Sequence, residues 1–287
     1  MRKENLFRIC IKIITLLSFL ILFSIIIFIL KEALPLFEEV TIKEFLFGKN
    51  WRPYSSIHKM GIWNIIVATL YISIVGVVIA LPIGVGSSIF LSCIVPKKIR
   101  ELTRPMVDIL AGIPSVIYGF IGLVVIVKIF ERLGRASGES VLAGGILLSI
   151  MVLPFMINVC VESMSKLYIK YESVSAVLGV SKQYFISELI LPNSIKSIVL
   201  AVILSLGRAL GETMAVMMVI GNAPIFPTLL GKAQTISSLI ALEMGMVEMG
   251  SIHYNALFAS GVVLMAMLLI INIVINIIHY KIIGDEI

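Results

Sequence analysis

The chain has 287 residues, of which 59% are hydrophobic and only 14% are charged, and its mean hydropathy is +1.09. Soluble globular domains carry about 25% charged residues, so this composition excludes a water-soluble enzyme, a disordered chain and a small disulfide scaffold. The formal net charge of +6 does not indicate nucleic-acid binding, because the 23 basic residues lie mostly in short segments between apolar runs, where basic residues orient a membrane protein.

Six largely uncharged runs are long enough to cross a bilayer as helices, since about 20 apolar residues span roughly 30 Å of hydrocarbon. They lie at Ile13–Leu30, Met60–Pro96, Asp108–Lys128, Glu139–Glu162, Asn193–Ile220 and Tyr254–Ile278. The second run is too long for one straight crossing, and we expect Pro82, Gly84 and Gly86 to kink it. The sequence therefore predicts an all-α polytopic membrane protein with about six spans, in one domain that covers residues 1–287.

The basic residues divide unequally between the two faces that six spans define. The face with both termini holds 13 Lys and Arg residues and the opposite face holds 9. The positive-inside rule then predicts cytoplasmic termini in a plasma (inner) membrane protein. Cys10, Cys93 and Cys160 lie near span ends assigned to the cytoplasm, where thiols stay reduced, so we expect no disulfide and no metal cluster.

Two connections are longer than the topology needs. The external loop 31–59 contains Phe45, Phe47 and Trp51, which suit an aromatic belt at the membrane interface or, as the alternative, a surface for an external partner. The stretch 163–192 on the opposite face is polar enough to lie outside the bilayer. Connections of this length in a compact protein are usually functional.

Catalytic motifs are absent from the sequence. It has no G-x-x-x-x-G-K-[ST] phosphate loop, no H-E-x-x-H and no C-x-x-C, the patterns that hold nucleotides or metals. We therefore predict that this chain is not an enzyme and holds no cofactor and no metal.

Arg208 and Glu212 are the strongest anomaly in an apolar run. Counted from Asn193, Arg208 lies about 22 Å into a helix, where a charge costs at least about 2.5 to 3.5 kcal/mol. Glu212 follows four residues later, so the two share a face of a continuous helix. They form either an internal ion pair that fixes helix packing or a site that a crossing anion meets. The second interpretation is favoured, because guanidinium groups suit oxyanions.

A helix-turn-helix pattern closes the 163–192 stretch. Residues 172–179 read Glu-Ser-Val-Ser-Ala-Val-Leu-Gly, and Leu189-Ile-Leu-Pro192 follows. Gly179 suits the left-handed cap of a short helix, and Pro192 suits the start of the next helix. An ordinary helix-loop-helix connection is the simpler alternative. The spacing of Gly179, Leu189, Leu191 and Pro192 resembles the EAA loop of ABC-transporter permeases, although Glu172 lies seven residues before the glycine instead of six.

The resemblance extends to the segments Asp108–Gly119 and Gly207–Asn222, which look like those of phosphate-uptake permeases within that family. It implies a type I ABC-transporter permease fold that forms half of a translocation path with a homologous second permease subunit. It also implies a dimer of ATPase subunits that uses ATP and Mg, contacted through Glu172, Ala176, Gly179, Leu191 and Pro192, and an external phosphate-binding protein.

In this family reading, Arg208 binds the passing anion, and Glu212 orients Arg208 or closes the gate by pairing with it. Two alternatives remain open. One is a sulfate- or molybdate-type permease of the same fold. The other is a passive anion channel with Arg208 as its selectivity element.

Overall fold

The computed structural model describes residues 2–55, 59–134 and 137–283, and most of them are helical. Within these ranges four helices are long and apolar enough to cross a membrane, and there are six spans if each of two bent helix pairs counts as one. The predicted all-α polytopic fold with about six spans is confirmed.

The long helices are α1 (Arg2–Ala33), α4 (Trp63–Ile89), α8 (Val141–Val177) and α14 (Ile252–Ile283). The shorter ones are α2 (Leu36–Glu39), α3 (Ile42–Phe47), α5 (Lys97–Gly112), α6 (Ser115–Ile121), α7 (Lys128–Arg132), α9 (Lys182–Tyr184), α10 (Leu191–Asn193), α11 (Ile195–Leu210), α12 (Met214–Met217) and α13 (Ile236–Glu243). The π-helical turns Phe90–Ile94, Gly122–Val127 and Phe185–Ile190 and the 3₁₀ turn Met244–Met246 extend or join them, and β1 (Trp51–Arg52) pairs antiparallel with β2 (Lys59–Met60).

The centre of the protein is the packing of α4 against α8, with α11 beside them. Small residues set the approach of the two helices: a Cβ at Gly76 would lie 2.9 Å from the Cβ of Leu148, and one at Gly84 would lie 2.7 Å from the Sδ of Met156. Helices that lack a hydrophobic driving force between them associate through such close backbone contact. Pro82 lies inside α4, which nevertheless continues as one helix.

The helices of the third and fourth predicted spans have other limits than the spans themselves. The third span is not one straight helix from Asp108, because α5 meets the segment Ser115–Arg132 at an angle of 90°. The break has a local cause: Ile113 precedes Pro114 and is extended, with φ −67° and ψ 129°, as steric contact with a proline ring requires. The helix of the fourth span continues past Glu162, since α8 runs on to Val177 as a helix of 37 residues.

The fifth predicted span, Asn193–Ile220, is also shorter than expected. Its helix α11 ends at Leu210, and Gly211 follows as the C-terminal cap. The chain then forms the single turn α12 and a largely non-helical stretch up to Thr235. There Thr235 caps α13 through a reciprocal pair of hydrogen bonds with Ser238. The sequence analysis did not identify α13, although Thr235 before an apolar run is a helix-start signal.

The connection 31–59 is a folded unit rather than an open loop, apart from residues 56–58, which lie outside the described part. Phe45 and Trp51 are buried in a second core with α13 and α14, so these two rings do not form the interfacial belt that the sequence analysis favoured. Phe47 is exposed and contacts the Trp63 ring at a centroid distance of 5.4 Å.

Glu243 fixes this unit to the helical core. The Trp51 Nε1–H group donates to both Glu243 carboxylate oxygens, at 3.2 and 3.0 Å. The His253 Nε2 atom lies 2.7 Å from Glu243 Oε2, and the imidazole is nearly fully buried. One carboxylate therefore satisfies buried polar groups from two distant parts of the chain.

Replacing Glu243 with Ala should loosen this attachment. The change leaves the buried Trp51 and His253 nitrogens without their acceptor, which costs about 1 to 3 kcal/mol. We expect a lower thermal unfolding midpoint and faster hydrogen exchange in residues 36–52. Glu248→Ala, at an exposed carboxylate between the Met244–Met246 turn and α14, is the control and should behave as wild type. Equal effects of both variants would contradict the attachment.

Candidate functional site

The stretch 163–192, which we call the elbow, reverses the chain between α8 and α11. Its first arm is the end of α8, and Gly179 follows with φ +64°. The Val180 N–H donates to the Ser175 carbonyl at 3.0 Å and the Gly179 N–H to the Ala176 carbonyl at 3.2 Å, which is the hydrogen-bond pattern of a Schellman cap. The predicted left-handed glycine is confirmed, but it ends a long span helix and not a short separate one.

The second arm begins at Ser181, whose hydroxyl accepts from the Tyr184 N–H at 3.3 Å. It continues through α9, the π-helical turn Phe185–Ile190 and α10, and the chain bends by 58° before α11. Pro192 lies in the first turn of α10, the helix that ends this arm directly before α11, so its prediction at the start of a helix is confirmed. Proline cannot donate to the carbonyl four residues back, and the turn before it is widened.

Interior contacts hold the two arms together. The Phe185 ring is buried and lies 5.5 Å from the Tyr168 ring, centroid to centroid. The Ser197 hydroxyl donates to the Ser163 hydroxyl at 2.7 Å, which joins α11 directly to α8. The two arms of the elbow therefore pack against each other and stay attached to both span helices.

The tip of the elbow exposes apolar side chains. Among the residues that the sequence analysis selected, Glu172, Ala176, Gly179 and Pro192 are exposed and Leu191 is half-buried against the core. Four neighbours that it did not select are exposed as well: Val174, Val177, Leu178 and Tyr184. Val177 is 87% exposed and Leu178 is 71% exposed. Contiguous apolar exposure of this kind marks an interaction surface, and the apolar residues directly before Gly179 were the available signal.

Arg208 and Glu212 are separated by the end of α11. The Arg208 guanidinium lies over the Phe155 ring of α8, at 4.2 Å from the centroid, and its side chain is exposed. Glu212 Oε1 instead accepts from the Ala215 N–H at 3.3 Å, at the start of α12. The ion-pair alternative is not seen in this structure, because no ion pair joins the two side chains within the described ranges. The two side chains would share a helix face only if the α-helix continued to Glu212, but α11 ends at Leu210.

The position of Arg208 suits anion binding. A guanidinium that stacks on an aromatic face keeps its N–H groups directed outward around its edge. Arg208 donates no hydrogen bond to another residue in the described part of the chain. The site therefore offers a fixed positive charge with unused donors, on a helix that the elbow connects to the protein surface.

Polar groups surround the backbone break at Glu212. The Ser237 hydroxyl donates to the Glu212 carbonyl at 2.9 Å, and the Ile236 N–H donates to Thr69 Oγ1 at 3.0 Å. The first bond attaches the stretch after α11 to α13, and the second attaches α13 to α4. Non-helical backbone within a membrane protein requires such substitute partners. Sequence reasoning missed Thr69 and Ser237, because single hydroxyl residues in apolar runs carry no distinct signal.

Comparison with known families gives one match that covers most of the chain. Residues 80–283 match the family described as "Binding-protein-dependent transport system inner membrane component".

Relatives with curated descriptions extend this match. The chain is 36% identical over 226 residues to the probable ABC transporter permease protein YqgH of Bacillus subtilis, covering 78% of this chain and 73% of that protein. It is 31% identical over 291 residues to the probable phosphate transport system permease protein PstC of Methanocaldococcus jannaschii, covering 92% and 90%. A PstC protein of Xylella fastidiosa is 31% identical over 241 residues, covering 77% and 73%.

Solved structures share the fold at lower identity. A chain of a bacterial ABC transporter involved in alginate import superposes with a TM-score of 0.58 and 18% identity, over 93% of this chain and 96% of that one. A chain of the inward-facing MetNI methionine ABC transporter gives a TM-score of 0.55 and 18% identity, over 77% and 94%. The architecture is thus that of type I ABC-transporter permeases.

Proposed function

This chain belongs to the inner membrane components of binding-protein-dependent transport systems, and we propose that it is the permease subunit of an ATP-driven importer for inorganic phosphate. Members of the family are multi-pass, non-catalytic membrane subunits of ABC transporters, which work with an ATPase and a substrate-binding protein. Similarity to phosphate permeases over most of the chain supports the substrate. The structural observation that carries it is the exposed Arg208 guanidinium stacked on Phe155.

In the proposed assembly, the cytoplasmic face and the external face of the protein bind different partners. The elbow and both termini lie on the cytoplasmic side, where a dimer of ATPase subunits binds the tip and uses ATP and Mg. The unit 31–59 lies outside, where a phosphate-binding protein docks. A homologous second permease subunit supplies the other half of the path through the bilayer, and this chain itself needs no cofactor.

Arg208 is proposed to bind phosphate electrostatically as it crosses. At neutral pH phosphate carries between one and two negative charges, and a planar guanidinium donates two parallel hydrogen bonds to such an oxyanion. Stacking on Phe155 fixes the plane of the group. Glu212, which caps α12, shapes the path beside Arg208 without neutralising it.

The elbow is proposed to couple ATP hydrolysis to this site. Its two arms continue into α8, which carries Phe155, and α11, which carries Arg208. A force on the tip therefore acts on both partners of the cation–π contact. Glu172, Ala176 and Gly179 form the exposed first arm, and Leu191 and Pro192 end the second. A passive channel has no need of such an exposed apolar tip.

Gly179→Val tests the coupling role. A β-branched residue at φ +64° is strained by about 1 to 3 kcal/mol, and no steric clash adds to this, because nothing lies within 4 Å of a Cβ at this position. We expect normal membrane insertion with loss of ATP-driven phosphate uptake. Gly179→Asn is the matched control, since asparagine tolerates the left-handed conformation, and it should keep most uptake. Normal uptake by a well-expressed Gly179→Val protein would refute the coupling role.

Arg208→Gln tests the substrate site. Loss of a charge-assisted hydrogen bond costs about 1.5 to 3 kcal/mol, so uptake of radiolabelled phosphate should fall about ten- to hundredfold. Expression and assembly with the ATPase should be unchanged, because Arg208 is exposed and no paired charge is orphaned. Inhibition of phosphate uptake by sulfate and by molybdate, measured with the wild-type protein, tests which anion is transported.

Glu212→Gln separates a substrate role from a structural ion pair. Its amide oxygen still accepts from the Ala215 N–H, so the single variant should transport phosphate nearly as well as wild type. The double variant Arg208→Gln with Glu212→Gln should be as inactive as Arg208→Gln alone. Recovery of uptake in the double variant would mean that the two charges pair during transport and that Arg208 does not bind the anion.

A further inference from the structure

A cavity and a groove join beside α5, on the face of the protein that carries the elbow. The cavity has a volume of about 790 Å³ and lies between α5, α8 and the end of α4. We call it the basic cavity, after the four basic side chains that line it: Arg100, Arg104, Lys166 and Lys182. The groove has a volume of about 490 Å³, and apolar side chains dominate its lining. We call it the apolar groove.

The two spaces form one continuous site. Leu91, Thr103, Val107 and Ile157 line both of them. The basic cavity opens toward the elbow, whereas the apolar groove runs along α4 past Gly86 and Phe90. One end of the combined site is therefore charged and the other end is apolar. Each of the two spaces has a volume far larger than that of a small inorganic anion.

The charged end keeps uncommitted positive groups. Three carboxylates, Glu101, Glu162 and Glu172, also line the basic cavity, and Lys166 pairs with Glu162 at 2.8 Å. Arg100 donates to two backbone carbonyls at the end of the Phe90–Ile94 turn. Arg104 and Lys182 form no ion pair with any residue in the described ranges. These two side chains remain available to an anionic ligand.

Helix α5 places this site at the membrane surface. It meets the segment Ser115–Arg132 at 90°, so α5 lies along the membrane plane when that segment crosses the bilayer. One face of α5 carries exposed apolar residues: Ile99, Leu102, Met106 and Ile109. The opposite face carries Glu101, Arg104 and Asp108. This arrangement is typical of an amphipathic helix in the interface.

We propose that the basic cavity and the apolar groove together bind an anionic phospholipid. The phosphate of the headgroup lies beside Arg104 and Lys182, and an acyl chain lies in the apolar groove along α4. Basic pockets between membrane helices bind anionic headgroups in this way. A free anion has no use for the apolar groove, whereas a lipid has a charged headgroup for the basic cavity and an acyl chain for the groove.

Native mass spectrometry tests the proposal on the transporter complex with its co-purifying subunits. The complex is placed in nanodiscs that contain dioleoyl phosphatidylglycerol and dioleoyl phosphatidylcholine in equal amounts. The wild-type complex should retain phosphatidylglycerol in preference. Arg104→Gln should weaken retention of phosphatidylglycerol about fivefold, the contribution of one basic side chain near an anionic headgroup, and should leave phosphatidylcholine unaffected.

A second variant tests the apolar end independently. Nothing lies within 4 Å of a Cβ at Gly86, so Gly86→Leu fills the apolar groove without disturbing α4 and should abolish the preferential retention. Val78→Phe is the matched control, because Val78 is exposed on the same helix, about 12 Å away. It should retain lipid as the wild type does.

Four outcomes would overturn the proposal. Equal retention of the two lipids would reveal an apolar groove without a headgroup site. Displacement of phosphatidylglycerol by inorganic phosphate would reveal a site for a soluble anion. Absence of retained lipid from the wild-type complex would mean that another subunit covers the groove. Unchanged retention in both Arg104→Gln and Gly86→Leu would place the lipid elsewhere. Because none of these measurements records transport, the result is independent of the phosphate assignment.

Discussion

Backbone N–H and C=O groups at a helix end need substitute partners, and within a bilayer the protein alone must supply them; this constraint governs where the helices of this chain break. At the elbow, Gly179 closes α8 with two backbone hydrogen bonds. After α11, the Ser237 hydroxyl and the Glu212 side chain supply the bonds that the helix no longer provides. Each break thus coincides with residues that can replace a helical hydrogen bond, and these breaks place the residues of the candidate site.

The break at the elbow joins α8 and α11 into one packed pair of helices, which we call the lever. Helices α8 and α11 pack side by side, share the Ser163–Ser197 hydrogen bond and meet at a tip that exposes Val177 and Leu178. Near the other end of this pair, Arg208 of α11 lies on Phe155 of α8. The proposed coupling uses both features, because the elbow joins the two helices and Arg208 has no ionic partner within the described ranges.

The sequence predicted the features that depend on local chemistry. Hydropathy located the spans because burial of about 20 apolar residues is a property of the segment itself. Gly179 was predicted as a left-handed cap because glycine before a chain reversal has a specific conformational role. The resemblance of residues 172–192 to a permease loop pointed to the correct family.

Features that depend on where helices stop were not predictable in this way. The pairing of Arg208 with Glu212 assumed four residues of continuous helix, and α11 ends between them. Phe45 and Trp51 looked like interfacial aromatics until α13, which carries the carboxylate partner of Trp51, was seen to pack against them. The position of α5 required the 90° bend. Pro114 gave a signal for that break, but not for its direction.

The two proposed sites lie at the two ends of the same lever. Phe155 and Arg208 hold its inner end, whereas Lys166 and Lys182, one from each arm of the elbow, line the basic cavity near its outer end. The proposed headgroup, beside Arg104 and Lys182, would link α5 to the second arm of the elbow, in the same region where an ATPase is proposed to bind. Because α8 and α11 pack side by side and share the Ser163–Ser197 hydrogen bond, the proposed lipid site and the proposed ATPase surface belong to the same pair of helices.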